Sequence, residues 1–240
     1  MKLFTAGGLR VRATGGTDRD GGGDGPAVLL CHGFGAPGDD LVGLARVIDV
    51  PKETRWFFPE APNAIELGMG TSGRAWWPID MVRMQLALAR GEHRSLAEET
   101  PDELPAAVAA LSACIDDLVT SHGVKRSSLV LGGFSQGAML ATEIVLHAPP
   151  STYAGLAVLS GTLLSRERWV RAAAGAGSGL HVLQSHGTRD PILAYAGAEA
   201  LAAMLRDAGA QVTFVPFAGQ HEIPGVALDA LGTFCRARLA

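Results

Sequence analysis

Two periodicities alternate along this chain of 240 residues. Short, largely apolar runs recur at Ala27-Val28-Leu29-Leu30-Cys31, Trp56-Phe57-Phe58, Leu129-Val130-Leu131, Gly155-Leu156-Ala157-Val158-Leu159, His181-Val182-Leu183-Gln184 and Val212-Thr213-Phe214-Val215. Such runs predict strands buried on both faces. Leu9, Val11 and Ala13 instead alternate with Arg10, Arg12 and Thr14, the pattern of a half-exposed strand near a sheet edge. Helical periods fall between the strands. One predicted helix opens at Thr100-Pro101-Asp102-Glu103, a capping-box pair with proline at the first helical position. Its apolar face runs through Leu104, Val108, Leu111, Ile115 and Leu118 and stops at Gly123. A second helix runs roughly from Leu193 to Ala208, ahead of Gly209, and a third follows Pro224. Strand and helix in alternation predict an α/β fold, a mostly parallel sheet with helices on both faces. Residues 1–240 read as a single domain without repeats. The Gly- and Asp-rich stretch at 15–25 is expected to be a flexible connection. The stretch from Asn63 to Glu99 breaks the rhythm and is predicted to lie over the top of the sheet.

Composition narrows the classes of function. Apolar residues make up 48%, charged ones 18%, and the formal net charge is −4. With no basic run, no nucleic-acid partner is expected. The N-terminus lacks the apolar stretch of a signal peptide, and no window approaches a membrane span, so no stable membrane insertion is expected. Cys31, Cys114 and Cys235 read as buried small hydrophobes in a reducing cytoplasm. Asp39-Asp40 has no further ligands spaced to help it hold a metal, so it reads as a helix cap.

The chemistry gathers around Gly133-Phe134-Ser135-Gln136-Gly137, between an apolar run and the helix-like stretch Ala138 to Leu146. G-x-S-x-G at a strand-to-helix turn is the nucleophile elbow of α/β-hydrolases. A serine hydroxyl needs a base, and the base an orienting carboxylate, which follow in the order Asp/Glu then His. Asp190 lies in the loop after the run that starts at His181, and His221 in the loop ahead of the last helix. Among seven histidines His186 is the chief rival, but it precedes Asp190 and falls at a strand end, where burial beside the site is expected. Asp207 and Asp229 fall within helices and are expected to face solvent. An oxyanion needs two backbone N–H donors. Gln136, next to the serine, supplies one; Phe34, in His32-Gly33-Phe34-Gly35, is the choice for the second.

Together, His32-Gly33-Phe34-Gly35, Gly133-Phe134-Ser135-Gln136-Gly137-Ala138, His186-Gly187 with Asp190, and His221-Glu222-Ile223-Pro224 resemble the carboxylesterase/lysophospholipase group that includes acyl-protein thioesterases. The resemblance spans about residues 27 to 240. It implies an α/β-hydrolase sheet without a large lid domain, the triad Ser135, Asp190 and His221, and the donors Phe34 and Gln136. Pro191 directly after Asp190, and Gln220 before His221, depart from the group's usual loops.

Met69, Trp76, Trp77, Met81 and Met84 offer adaptable apolar surface near that edge, with Met69, Trp76 and Trp77 taken as substrate-binding. The expected activity is hydrolysis of small-molecule carboxylic esters of short or medium acyl chains, with thioesters and lysophospholipids open as substrates. No metal or cofactor is required. A peptidase or amidase on the same fold, and a non-catalytic ligand-binding protein on a hydrolase scaffold, are the alternatives; a homodimer is compatible with the chain.

Overall fold

A computed structural model describes residues 1–68, 71–90 and 95–240, apart from the side chains at 67, 87 and 88. The strands are β1 (Lys2–Ala6), β2 (Leu9–Gly15), β3 (Ala27–Cys31), β4 (Arg55–Pro59), β5 (Asn63–Gly68), β6 (Thr71–Ala75), β7 (Leu129–Phe134), β8 (Gly155–Leu159), β9 (His181–Gly187) and β10 (Gln211–Phe217). The helices are α1 (Leu44–Val47), α2 (Met81–Ala89), α3 (Leu104–His122), α4 (Gln136–His147), α5 (Arg166–Ala176), α6 (Tyr195–Asp207) and α7 (Gly225–Leu239). Eight strands form the main sheet in the order β1-β2-β4-β3-β7-β8-β9-β10, while β5 and β6 make a separate hairpin. From β4 to β10 the pairings are all parallel; β2 runs antiparallel to both β1 and β4.

Period-two alternation along β3 divides the core. Ala27, Leu29 and Cys31 pack with Leu111, Leu140, Trp169 and Leu201, which belong to α3, α4, α5 and α6. Val28 and Leu30 point to the other face, with Ile48 and with Leu231 and Cys235 of α7. Both faces of β3, β4, β7 and β8 are therefore dry, which accounts for their unbroken apolar sequences. The run at Val212–Val215 departs from that expectation: β10 is the last strand of the sheet, and Gln211, Thr213 and Pro216 are exposed.

β2 lies one strand in from the edge strand β1 and alternates in burial, as its sequence predicts. Several boundaries differ from the sequence reading. The helix expected from Pro101 starts at Leu104, and Pro105 sits in its first turn. Pro101 instead accepts the Leu104 N–H in a turn, and the Thr100 hydroxyl lies 2.8 Å from Ser165 Oγ rather than capping amides. Asp39 and Asp40 cap no helix: they sit in turns, and α1 begins later at Leu44 with no side-chain cap. The 15–25 connection is knit by its own hydrogen bonds, with Asp18 Oδ1 accepting the Asp20 and Gly22 N–H groups at 2.8 Å each. By length and composition α3 could cross a bilayer, contrary to expectation. It lays Leu104, Ala107, Leu111, Cys114, Ile115 and Leu118 into the core and turns Asp116 outward, the amphipathic division of a helix that covers a sheet.

Just beyond β4, Glu60 draws three strands together. Its carboxylate accepts from Arg74 of β6 at 2.6 and 2.9 Å and from Arg12 of β2 at 3.0 Å, with Arg10 at 3.5 Å. Burial opposes the charge on Glu60, but the Arg74 and Arg12 hydrogen bonds outweigh it and hold the carboxyl below its ordinary range.

Candidate active site

Ser135 stands between β7 and α4 with φ 53° and ψ −117°. A non-glycine residue here stores roughly 1–3 kcal/mol of backbone strain, which the surroundings must enforce. They do so by close packing. A Cβ on Gly133 would lie 2.5 Å from the Cys31 carbonyl oxygen, and one on Gly137 only 2.2 Å from it. Neither position can carry a side chain. The Ser135 N–H donates to Leu159 O at 2.9 Å, tying the elbow to β8.

The loop after β3 faces this turn. His32 is buried, and its Nε2 accepts the Ala61 N–H at 3.1 Å, which places its proton on Nδ1, 2.8 Å from Gly33 O. Desolvation lowers the pKa of this ring, so it is held neutral. Two bonds then pair the loop with β6: Gly35 N–H to Arg74 O at 2.8 Å, and Arg74 N–H to Ala36 O at 3.1 Å. Among the described residues neither the Phe34 nor the Gln136 backbone N–H has a protein acceptor. Gln136 opens α4, where an N–H lacks an intrahelical partner and the helix dipole favours negative charge.

Asp190 follows β9 and is 3% exposed. Its Oδ1 accepts the N–H groups of Ile192 and Leu193 at 2.8 and 2.9 Å. Oδ2 lies 2.6 Å from His221 Nδ1 and 3.3 Å from His186 Nε2. Burial alone would raise its pKa, but hydrogen bonds from His186, His221 and Leu193 overcome that and hold the carboxyl well below its usual range. The His221 ring leans on Phe134 with centroids 4.8 Å apart. Ser160, at the end of β8, donates to Glu222 O at 3.0 Å and so anchors the loop that carries His221.

Ser135, His221, Phe34 and Gln136 all line one cavity of about 320 Å³. Its walls are largely apolar, from Trp77, Met84, Met139, Leu164, Ile192 and Leu193. Trp77 is there as anticipated, but Trp76 is not. Trp76 is fully buried behind the wall, its indole N–H on His32 O at 3.0 Å and its ring tilted against His32. Alternation at the end of an extended segment turns neighbouring tryptophans opposite ways. Met69, like His93, lies outside the described residues. Asp207 and Asp229 are exposed on α6 and α7. His186 is fully buried and touches Asp190 rather than the cavity.

The three cysteines are free and buried; desolvation pushes Cys114 and Cys235 up to about 12 and Cys31 well above its ordinary value, so none is a thiolate nucleophile. Among the described residues no group of three His, Cys, Asp or Glu is placed to hold a metal ion.

Parallel strands in this order, a strained serine after β7, and Asp and His loops after β9 and β10 define an α/β-hydrolase. The class has many members. This chain belongs to the phospholipase/carboxylesterase family, whose pattern matches residues 22–239. It is 25% identical over 216 residues to the carboxylesterase SOBER1 of Arabidopsis thaliana, covering 88% of this chain and 90% of that one. It is 30% identical over 171 residues to acyl-protein thioesterase 1 of Kluyveromyces lactis, covering 69% and 70%. The crystal structure of esterase PE8 superposes over 100% of both chains with a TM-score of 0.76 at 25% identity. The chain is thus a carboxylesterase-type hydrolase of ester or thioester bonds.

Proposed function

We propose that the protein hydrolyses carboxylic esters, and thioesters of the same acyl groups, through an acyl-enzyme on Ser135. The observation that carries this reading is the 2.6 Å pairing of His221 Nδ1 with Asp190 Oδ2, in a cavity shared by His221 and the strained serine. Asp190 fixes the proton of His221 on Nδ1, leaving Nε2 to take the serine proton. Ser135 Oγ attacks the carbonyl carbon. The Phe34 and Gln136 amides receive the oxyanion, and His221 hands its proton to the departing alcohol or thiol. Water, activated by the same imidazole, then releases the acid and restores the serine.

A cavity of about 320 Å³ with apolar walls fits acyl chains of short to medium length, with Trp77, Leu164 and Leu193 as contacts. Small-molecule esters, including lysophospholipids, are the proposed substrates, and a cytoplasmic site of action fits three free cysteines. The test is a panel of p-nitrophenyl esters of graded chain length beside a thioester and a peptide amide. Cleavage of esters and thioester, with a maximum at short or medium chains and no action on the amide, is expected. Preferential cleavage of the amide would overturn the reading.

A further inference from the structure

One buried histidine has no part in the chemistry above. His186 is fully buried at the C-terminal end of β9. Its Nε2 sits 2.8 Å from Leu193 O and 3.3 Å from Asp190 Oδ2. Both neighbours can only accept, so the ring proton is on Nε2. Its Nδ1 is buried without a hydrogen-bond partner among the described residues. Nδ1 thus makes no tie, and the ring reaches its polar neighbours through Nε2–H. The titratable groups around it are Asp190, His221 beyond that carboxylate, and Tyr195 of α6, whose ring centroid is 6.3 Å away.

Leu193 O belongs to the segment whose N–H groups hold Asp190 Oδ1, and Pro191, Ile192 and Leu193 all line the cavity. His186 therefore meets the carboxylate and the cavity wall with a single N–H. We propose that His186 is a positioning residue: its Nε2–H, set between Asp190 Oδ2 and Leu193 O, fixes the carboxylate that orients His221 and the wall at 191–193 as one rigid unit. Without that N–H, Oδ2 is free to rotate out of the His221 plane, and the wall loses the tie on its last carbonyl. The proposal rests on the Ser135–His221–Asp190 reading for its effect on turnover, but its geometry does not.

The test has two arms. In the parent protein, ¹⁵N NMR of the imidazoles, with His186 assigned by its loss in His186→Gln, should show a proton on its Nε2. A ring protonated on Nδ1 alone, which leaves Nε2 without its proton, overturns the proposal whatever the enzyme's activity. In the second arm, His186→Gln keeps an N–H near the Nε2 position, whereas His186→Leu fills the space without a donor. With an acetate ester, which reaches little of the wall, His186→Leu should lower kcat about 10-fold with KM nearly unchanged, the scale of one hydrogen bond of ordinary net strength. His186→Gln should restore kcat to within about 3-fold of the parent. Equal kcat in the two variants would mean that His186 only fills space. If His186→Leu does not fold, the tautomer arm decides alone. Failure of the triad reading would show separately, as ester turnover surviving in Ser135→Ala.

Discussion

The side-chain oxygen of Gln136 accepts the backbone N–H of Trp76 at 2.9 Å, and the same amide donates to Trp77 O at 2.8 Å. The residue beside the nucleophile thus clips the segment that builds the cavity wall onto the first turn of α4. Because Gln136 is fully buried, both bonds form away from water. Gln136→Ala should cost about 1–3 kcal/mol of stability, since it strands a buried donor and a buried acceptor. Gln136→Glu should do no better: one carboxylate oxygen replaces the acceptor, but the other then faces Trp77 O. Urea denaturation beside kcat for a short ester checks this. A Glu variant as stable and active as the parent would show that the clip is not needed.

The neighbouring tryptophans should separate cleanly. Trp77→Ala removes cavity wall, so it should shift chain-length preference and cost about 1–3 kcal/mol in kcat/KM for the best substrate, sparing acetate esters. Trp76→Ala empties a fully buried core site and should cost about 3–5 kcal/mol of folding stability. Trp77 is also buried, so both variants lose stability, and the chain-length profile is what distinguishes them. An unchanged profile in Trp77→Ala would remove it from the specificity wall.

Asp190→Asn should lower kcat by up to about 10⁴-fold, by analogy with the serine-protease aspartate. The structure adds a second consequence. Oδ1 accepts two N–H groups and Oδ2 faces two imidazole nitrogens, so an amide NH₂ fits neither side. KM for longer esters should rise as well, because the Ile192–Leu193 wall loosens. Exposed Asp207→Asn and Asp229→Asn, on α6 and α7, should match the parent in both constants.

Glu60 predicts an acid limb in stability. Its folded pKa is depressed, so the stabilisation is complete above its unfolded value of about 4.3 and is lost as pH falls toward the folded one. Glu60→Gln should be less stable than the parent at pH 7, by roughly 1.5–3 kcal/mol for hydrogen bonds to charged partners. That gap should narrow below pH 4. Denaturant unfolding at both pH values checks it; a gap that widens in acid would contradict the assignment.

Much of this was legible from residues alone. The elbow was readable because G-x-S-x-G followed an apolar strand, and Asp190 and His221 because each lay in a loop after one. The fully buried strands announced themselves as unbroken apolar runs. The edge strand β1 did not: only Ala6 of Lys2–Ala6 is buried, so its sequence carries no alternation to read. The start of α3 was misplaced because Thr100, which looks like a cap, is engaged by Ser165, a residue 65 positions away. The same limit hid the clip from Gln136 and the Glu60 cluster. Each joins segments distant in sequence, and no local pattern encodes a partner across the fold. His186 was visible as a buried histidine beside the site, but its contact with the carboxylate was not.

Covalent labelling tests Ser135 as the nucleophile most directly. A fluorophosphonate probe reacts with an activated serine and leaves a stable phosphonyl adduct, which peptide mapping by mass spectrometry locates. One adduct is expected, on Ser135, formed in step with loss of esterase activity, with neither labelling nor turnover in a folded Ser135→Ala variant. Labelling at another residue, or ester hydrolysis that survives in Ser135→Ala, would contradict it.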